Sequence, residues 1–181
     1  HYAMVGNETG MAILVHEMPF LSGADGSQIQ WPLSLLKSLK TIPQIAALKE
    51  DAKNFDVTCS ALELEPDIRI IIAGVKASFM QYRDHGARAY LNGISIIDAR
   101  IGELFWKSYE TNDQETIQFI IEELEAPFFD QCAAKFGWHR VNKAILQAAG
   151  LMHRRDRMPL KHLSDAEFIL VQSIYQKIER A

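Results

Sequence analysis

The stretch that decides the predicted fold is residues 68–110, IRIIIAGVKASFMQYRDHGARAYLNGISIIDARIGELFWKSYE. Its first part, residues 68–82, is rich in β-branched and aromatic residues, which favour strands, and Gly74 suits a bulge. Residues 84–86 are typical of a turn, and residues 88–97 would return as a second strand. A turn at 98–102 would lead to a third strand, 103–110. Three strands joined by short turns predict an antiparallel meander.

Helical and strand patterns flank this meander. The apolar run at residues 11–15 predicts a buried N-terminal strand. Leucines at 33, 36 and 39 repeat at helical spacing, which resumes after Pro43 with Ile45 and Leu48. We predict two short helices or one kinked helix there.

The remainder of the chain has helical periodicity. Ser164 followed by Glu167 predicts a capping box at the start of an amphipathic last helix. The predicted class is α+β: a largely antiparallel sheet, made of the meander and the N-terminal strand and covered by helices. We expect a sheet domain at 1–126 and a helical C-terminal extension at 127–181.

Composition excludes several classes of protein. The 181 residues carry a net charge of −4 and are 48% hydrophobic, as in ordinary globular chains. The acidic balance argues against a nucleic-acid binder, and no run approaches the ~20 apolar residues of a membrane span. Cys59 and Cys132 suit either one disulfide or two buried thiols. Any signal peptide or lipid-attachment cysteine would have been removed ahead of His1.

Candidate chemical residues are few. His16 and Glu17 could form an acid–base pair at a strand end, but we favour the alternative of an ordinary hydrogen-bonded histidine at His16. Acidic residues near predicted turns could gather into a site, or Asp98 could simply shape its turn; they are Asp67, Asp84, Asp98 and Glu103. We find no metal-binding, hydrolase or phosphate-loop motif, and therefore predict no catalytic, cofactor or metal residue.

One basic patch follows the predicted meander domain; it comprises Arg154, Arg155, Arg157 and Lys161. It could bind phosphate, lipid headgroups or an acidic partner. A solvated linker that balances the acidic helix at 122–125 is the alternative.

Residues 91–108, LNGISIIDARIGELFWKS, resemble a hairpin of bacterial envelope lipoproteins. The similar families include the curli-secretion lipoprotein and the amino-terminal domain of TolB. The resemblance implies that Asp98, Gly102 and Trp106 define a hairpin, and it implies no catalytic residue.

Three functional hypotheses follow. The first is a non-enzymatic envelope protein, periplasmic and associated with the outer membrane through a lipid anchor. It would assist assembly or secretion by contacting other envelope proteins or itself as an oligomer. The second is a cytoplasmic α+β small-molecule enzyme or ligand-binding domain, with a site between sheet and helices that uses His16, Asp98 or His139. The third is a regulatory module that binds acidic partners through its arginines.

Overall fold

The structure is a computed structural model and describes residues 1–19, 28–91 and 93–180. The chain divides into two compact units, His1–Asn92 and Gly93–Ala181. Asn92, which falls in the predicted second meander strand, lies outside the described residues.

Strands and helices alternate through the first unit. The four strands form one sheet in the order β1-β2-β3-β4, and each neighbouring pair is parallel. A short 3₁₀ turn, Arg83–His85, precedes β4. The elements are α1 (Tyr2–Thr9), β1 (Ile13–Glu17), α2 (Leu33–Leu39), β2 (Ile45–Glu50), α3 (Phe55–Leu62), β3 (Arg69–Ala73), α4 (Lys76–Tyr82) and β4 (Ala89–Leu91).

The two faces of this sheet differ in burial. Val15, Leu48 and Ile70 lie on one face and are at most 2% exposed. Helix α4 packs against β3, and Phe79 of this helix is fully buried. On the other face Leu14 is 53% exposed. Because successive strand residues point to opposite faces, His16 and Lys49 share the face of Leu14.

The predicted antiparallel meander is wrong, and with it the α+β class. Gly74 has φ of 111° and follows the end of β3 instead of forming a bulge within a longer strand. Residues 76–82 are helix α4, which buries Phe79 and Tyr82. This helix connects β3 to a parallel β4, as parallel strands require a crossover. The sheet is that of consecutive β/α units, the repeat from which β/α barrels are built.

The helical spacing of Ile45 and Leu48 also has a different origin. Both residues are buried in strand β2. The pairing with β1 shifts after Ile13, which lies opposite Ile45, whereas Leu14 lies opposite Ala47. The extra residue, Ala46, is a β-bulge that lets side chains three positions apart face the same side. A bulged strand therefore imitates helical periodicity.

The second unit is helical in its described residues. The helical path continues past Pro127 through π-type turns. None of the helices in the described ranges is long and apolar enough to cross a membrane. The elements are a 3₁₀ turn (Ile94–Ile96), α5 (Ala99–Thr111), α6 (Gln114–Phe119), π-helical turns (Ile120–Glu125 and Pro127–Ala133), α7 (Ala134–Phe136), α8 (Trp138–Ala148) and α9 (Asp165–Arg180).

The residues expected to define a hairpin lie on helix α5 instead. Asp98 caps the helix, and its Oδ1 accepts a hydrogen bond from the Arg100 backbone N–H at 2.8 Å. Gly102 and Trp106 are inside the helix. Ile101 and Phe105 are buried at a spacing of four, which fits a helix that covers a core.

The capping box of the last helix is confirmed. The Ser164 backbone N–H donates to Glu167 Oε2 at 2.8 Å, and the Glu167 N–H donates to Ser164 Oγ at 3.3 Å.

The buried face of the sheet makes a testable contribution to stability. Leu48→Ala should lower the free energy of unfolding by about 2–5 kcal/mol, because it opens a cavity in the centre of the sheet. Leu14→Ala, on the exposed face, is the matched control and should cost under about 1 kcal/mol. Urea denaturation measures both, and equal losses would contradict this assignment of the faces.

Candidate active site

The candidate site lies where strands β1 and β2 end. His16 pairs in register with Lys49, and Glu17 pairs with Glu50, the last residue of β2. The alternation of strand residues puts the two pairs on opposite faces of the sheet. In folds built from parallel strands, the carboxyl ends of the strands are where binding and catalytic groups collect.

Three side chains meet on the open face. The Lys49 Nζ lies 3.0 Å from the His16 Nε2. The Asp51 Oδ2 lies 3.5 Å from the same nitrogen. The His16 side chain is 30% exposed and that of Asp51 is 13% exposed, so the cluster is partly shielded from solvent.

The surroundings of His16 favour its neutral form. Burial lowers the pKa of His16, and the positive charge of Lys49 lowers it further. Asp51 acts in the opposite direction, through a hydrogen bond and through its charge. These influences favour the neutral ring, whose Nε2 can accept a proton from the lysine ammonium group.

The second pair, Glu17 and Glu50, accepts hydrogen bonds from the segments that follow β1 and β2. Glu17 is fully buried, and its Oε1 accepts from the Gln30 side chain at 2.8 Å and from the Trp31 backbone N–H at 3.1 Å. Glu50 is 3% exposed; its Oε1 accepts from Ala52 N–H and its Oε2 from the Thr58 hydroxyl, both at 2.7 Å. Burial raises the pKa of Glu17 and of Glu50.

The structure rearranges the acid–base pair considered from the sequence. His16 and Glu17 are adjacent in sequence but face opposite sides of the sheet, and the side chain beside His16 is Lys49. Lys49 and Asp51 were missed because residues 45–48 had the spacing of a helix. The available signal was a lysine directly after the buried run of β2, followed by two acidic residues.

The other candidate acidic residues are distributed over both units. In the first unit Asp67 forms an ion pair with Lys40, and Asp84 lies 3.7 Å from Arg83. In the second unit Asp98 forms an ion pair with Arg100 at the start of α5. Glu103 and His139 are exposed on α5 and α8 of that unit.

The basic patch is partly engaged in the second unit. Arg154 donates to the Leu163 carbonyl at 3.1 Å, forms an ion pair with Asp165 and lies over the Phe168 ring. Arg155, Arg157 and Lys161 are exposed, and their role as an interaction patch stays a prediction. Across the ranges described here, no group of three or more His, Cys, Asp or Glu residues could hold a metal ion.

Comparison with known proteins gives the family. The profile of the dihydrodipicolinate synthetase family matches residues 1–178. The chain belongs to the dihydrodipicolinate synthetase family. It is 21% identical over 179 residues to the 4-hydroxy-tetrahydrodipicolinate synthase of Archaeoglobus fulgidus, a match that covers 99% of this chain and 60% of that protein.

Solved structures of the family show the same fold. A dihydrodipicolinate synthase from Bacillus anthracis superposes with a TM-score of 0.81 at 18% identity, covering 97% of this chain and 58% of that one. The N-acetylneuraminate lyase of Mycoplasma synoviae gives 0.76 at 18% identity, with 98% and 58% covered. The chain therefore spans about 60% of the length of its relatives.

Membership of the dihydrodipicolinate synthetase family overturns the envelope hypothesis. The resemblance to the curli-secretion lipoprotein and to TolB is wrong, because the family profile covers nearly the whole chain and its fold is parallel. The expectation of a non-enzymatic secretion accessory is also wrong, since the matched relatives are synthases and a lyase. The periplasmic location and the envelope partners lose their support with it.

The buried Glu50 makes stability depend on pH. Its pKa is raised in the folded state, so its contribution to stability is present at low pH and is lost as the pH rises through that pKa. Glu50→Gln should therefore show a smaller loss of unfolding free energy between pH 5 and pH 8, measured by urea denaturation. Glu63→Gln, an exposed site on the same unit, is the control. An unchanged pH dependence in Glu50→Gln would refute the assignment.

Proposed function

We propose that the protein is an enzyme in which Lys49 forms an imine with the carbonyl group of a small substrate. The observation that carries this proposal is the 3.0 Å separation between Lys49 Nζ and His16 Nε2. A lysine amine attacks a carbonyl only after it loses a proton. A neutral histidine within hydrogen-bonding distance can take that proton.

The proposed step uses both residues and balances. The lysine ammonium transfers one proton to His16 Nε2, and the free amine attacks the carbonyl carbon to give a carbinolamine. A second proton moves from the nitrogen to the oxygen. His16 then returns its proton to the hydroxyl group, which leaves as water, and a protonated imine remains on Lys49. The positive imine withdraws electrons from the neighbouring carbon, which allows a carbon–carbon bond beside it to form or break.

The names of the relatives agree with such chemistry, since one is a synthase and another a lyase. Because the chain spans about 60% of their length, the complete activity and the substrate belong to the proposal as well. Of the sequence hypotheses, the small-molecule enzyme is the one that the family supports. We also propose a cytoplasmic location, with which the two free cysteines agree, and self-association of the chain.

The proposal predicts that Lys49 can be trapped. Incubation with small carbonyl compounds (pyruvate and acetaldehyde first), followed by sodium borohydride, should add to the protein the mass of the probe less one oxygen atom. Peptide mass spectrometry should place the addition on Lys49. Lys49→Ala should abolish the labelling and lower any turnover by on the order of 10³-fold.

Lys37→Ala is the matched control, because Lys37 is an exposed lysine of the same unit. Lys37→Ala should be labelled on Lys49 to the same extent as the wild-type protein. Labelling that persists in Lys49→Ala, or that spreads over exposed lysines, would contradict the proposal.

A further inference from the structure

We propose that Asp51 is a positioning residue that holds the proton on His16 between its removal from Lys49 and its return to the leaving hydroxyl group. This inference rests on the proposed function of Lys49. It extends the pair of His16 and Lys49 to a relay of three side chains, in which the carboxylate never touches the substrate.

One ring nitrogen of His16 has two neighbouring side chains. Lys49 Nζ and Asp51 Oδ2 both approach His16 Nε2, at 3.0 Å and 3.5 Å. A neutral ring can use the Nε2 lone pair to accept a proton from Lys49. Once protonated, the same nitrogen carries an N–H group and has no lone pair left for Lys49. The N–H can then donate to the Asp51 carboxylate, which stabilises the imidazolium ion.

The backbone around Asp51 is fixed from the opposite face of the sheet. Glu50 is buried among the helices and accepts hydrogen bonds from the Ala52 N–H and from the Thr58 hydroxyl of helix α3. Asp51 lies between Glu50 and Ala52, which are joined by the hydrogen bond from the Ala52 N–H to the Glu50 carboxylate. Its side chain is 13% exposed, so its charge is only partly screened by solvent.

The charged groups that act on His16 come from two directions. Lys49 on strand β2 disfavours the imidazolium ion, and Asp51 after that strand favours it. Burial disfavours the imidazolium ion more strongly than Lys49 does. Without Asp51, both remaining influences would oppose protonation of the ring.

The relay therefore predicts two effects of Asp51→Asn. The step requires neutral His16 at its start, so the rate falls at acid pH as the ring becomes protonated. Removal of the carboxylate lowers the pKa of His16 and should move this acid limb to lower pH. The plateau rate at higher pH should fall by about 10-fold, because the imidazolium ion is less stable during the step.

The experiment measures the rate of borohydride-trapped imine formation with pyruvate and with acetaldehyde between pH 5 and pH 9. The variants are Asp51→Asn, Asp51→Glu and the control Asp56→Asn, which removes the same charge from an exposed position on α3. We expect the shifted limb and lowered plateau in Asp51→Asn alone, with partial recovery in Asp51→Glu. The pKa of His16 is measured in parallel by NMR titration and should be lower in Asp51→Asn than in the unchanged protein.

The outcomes separate this inference from the proposed function. Trapping on Lys49 with the same acid limb in Asp51→Asn as in the unchanged protein would overturn the relay and leave the proposed function standing. In Asp51→Asn, a lower plateau rate with no change in the acid limb or in the pKa of His16 would show that Asp51 has only a structural role. That result would also overturn the relay. Failure of the unchanged protein to trap either probe on Lys49 would overturn the proposed function and the relay together.

Discussion

The parallel pairing of β1 with β2 is the constraint on which the site depends. Its register puts His16 beside Lys49 and Glu17 beside Glu50. Because the side chains of a strand alternate, this one register sends the first pair to the open face and the second pair under the helices. A slip of β1 by one residue would bury His16, expose Glu17 and remove the histidine from its place beside Lys49. The bulge at Ala46 precedes this stretch and sets its register.

The buried carboxylates explain how a site at strand ends stays ordered. Burial of Glu17 and Glu50 is costly, as their raised pKa values show. In return, each accepts two hydrogen bonds from residues that follow its strand. Two of these donors are backbone N–H groups, that of Trp31 ahead of α2 and that of Ala52 after β2. The two carboxylates on the buried face thus fix the backbone next to the candidate site on the open face.

The sequence allowed some elements to be predicted and concealed others for physical reasons. The capping box at Ser164 is a local interaction between residues three apart, so it could be recognised without the fold. The direction of β4 relative to β3 depends on whether residues 76–82 form a strand or a helix, and both structures suit Phe79 and Tyr82. Ile45 and Leu48 were misleading, because a bulge gave a strand the spacing of a helix. Because this segment was interpreted as a helix, Lys49 was not recognised as a residue near the end of a strand.

The division of the sheet into two faces also limits what substitution can do in this chain. Residues 49 and 51 both contact residue 16 on the open face, and none of the three belongs to the buried hydrophobic core. Substitutions at these three positions therefore leave the packing of Val15, Leu48 and Ile72 in the core intact. Glu17 and Glu50 have no such freedom, because each is both buried and hydrogen-bonded. Asp51 directly follows Glu50, whose hydrogen bonds to Ala52 and Thr58 fix the backbone at this point. The Asp51 carboxylate itself lies on the open face beside His16.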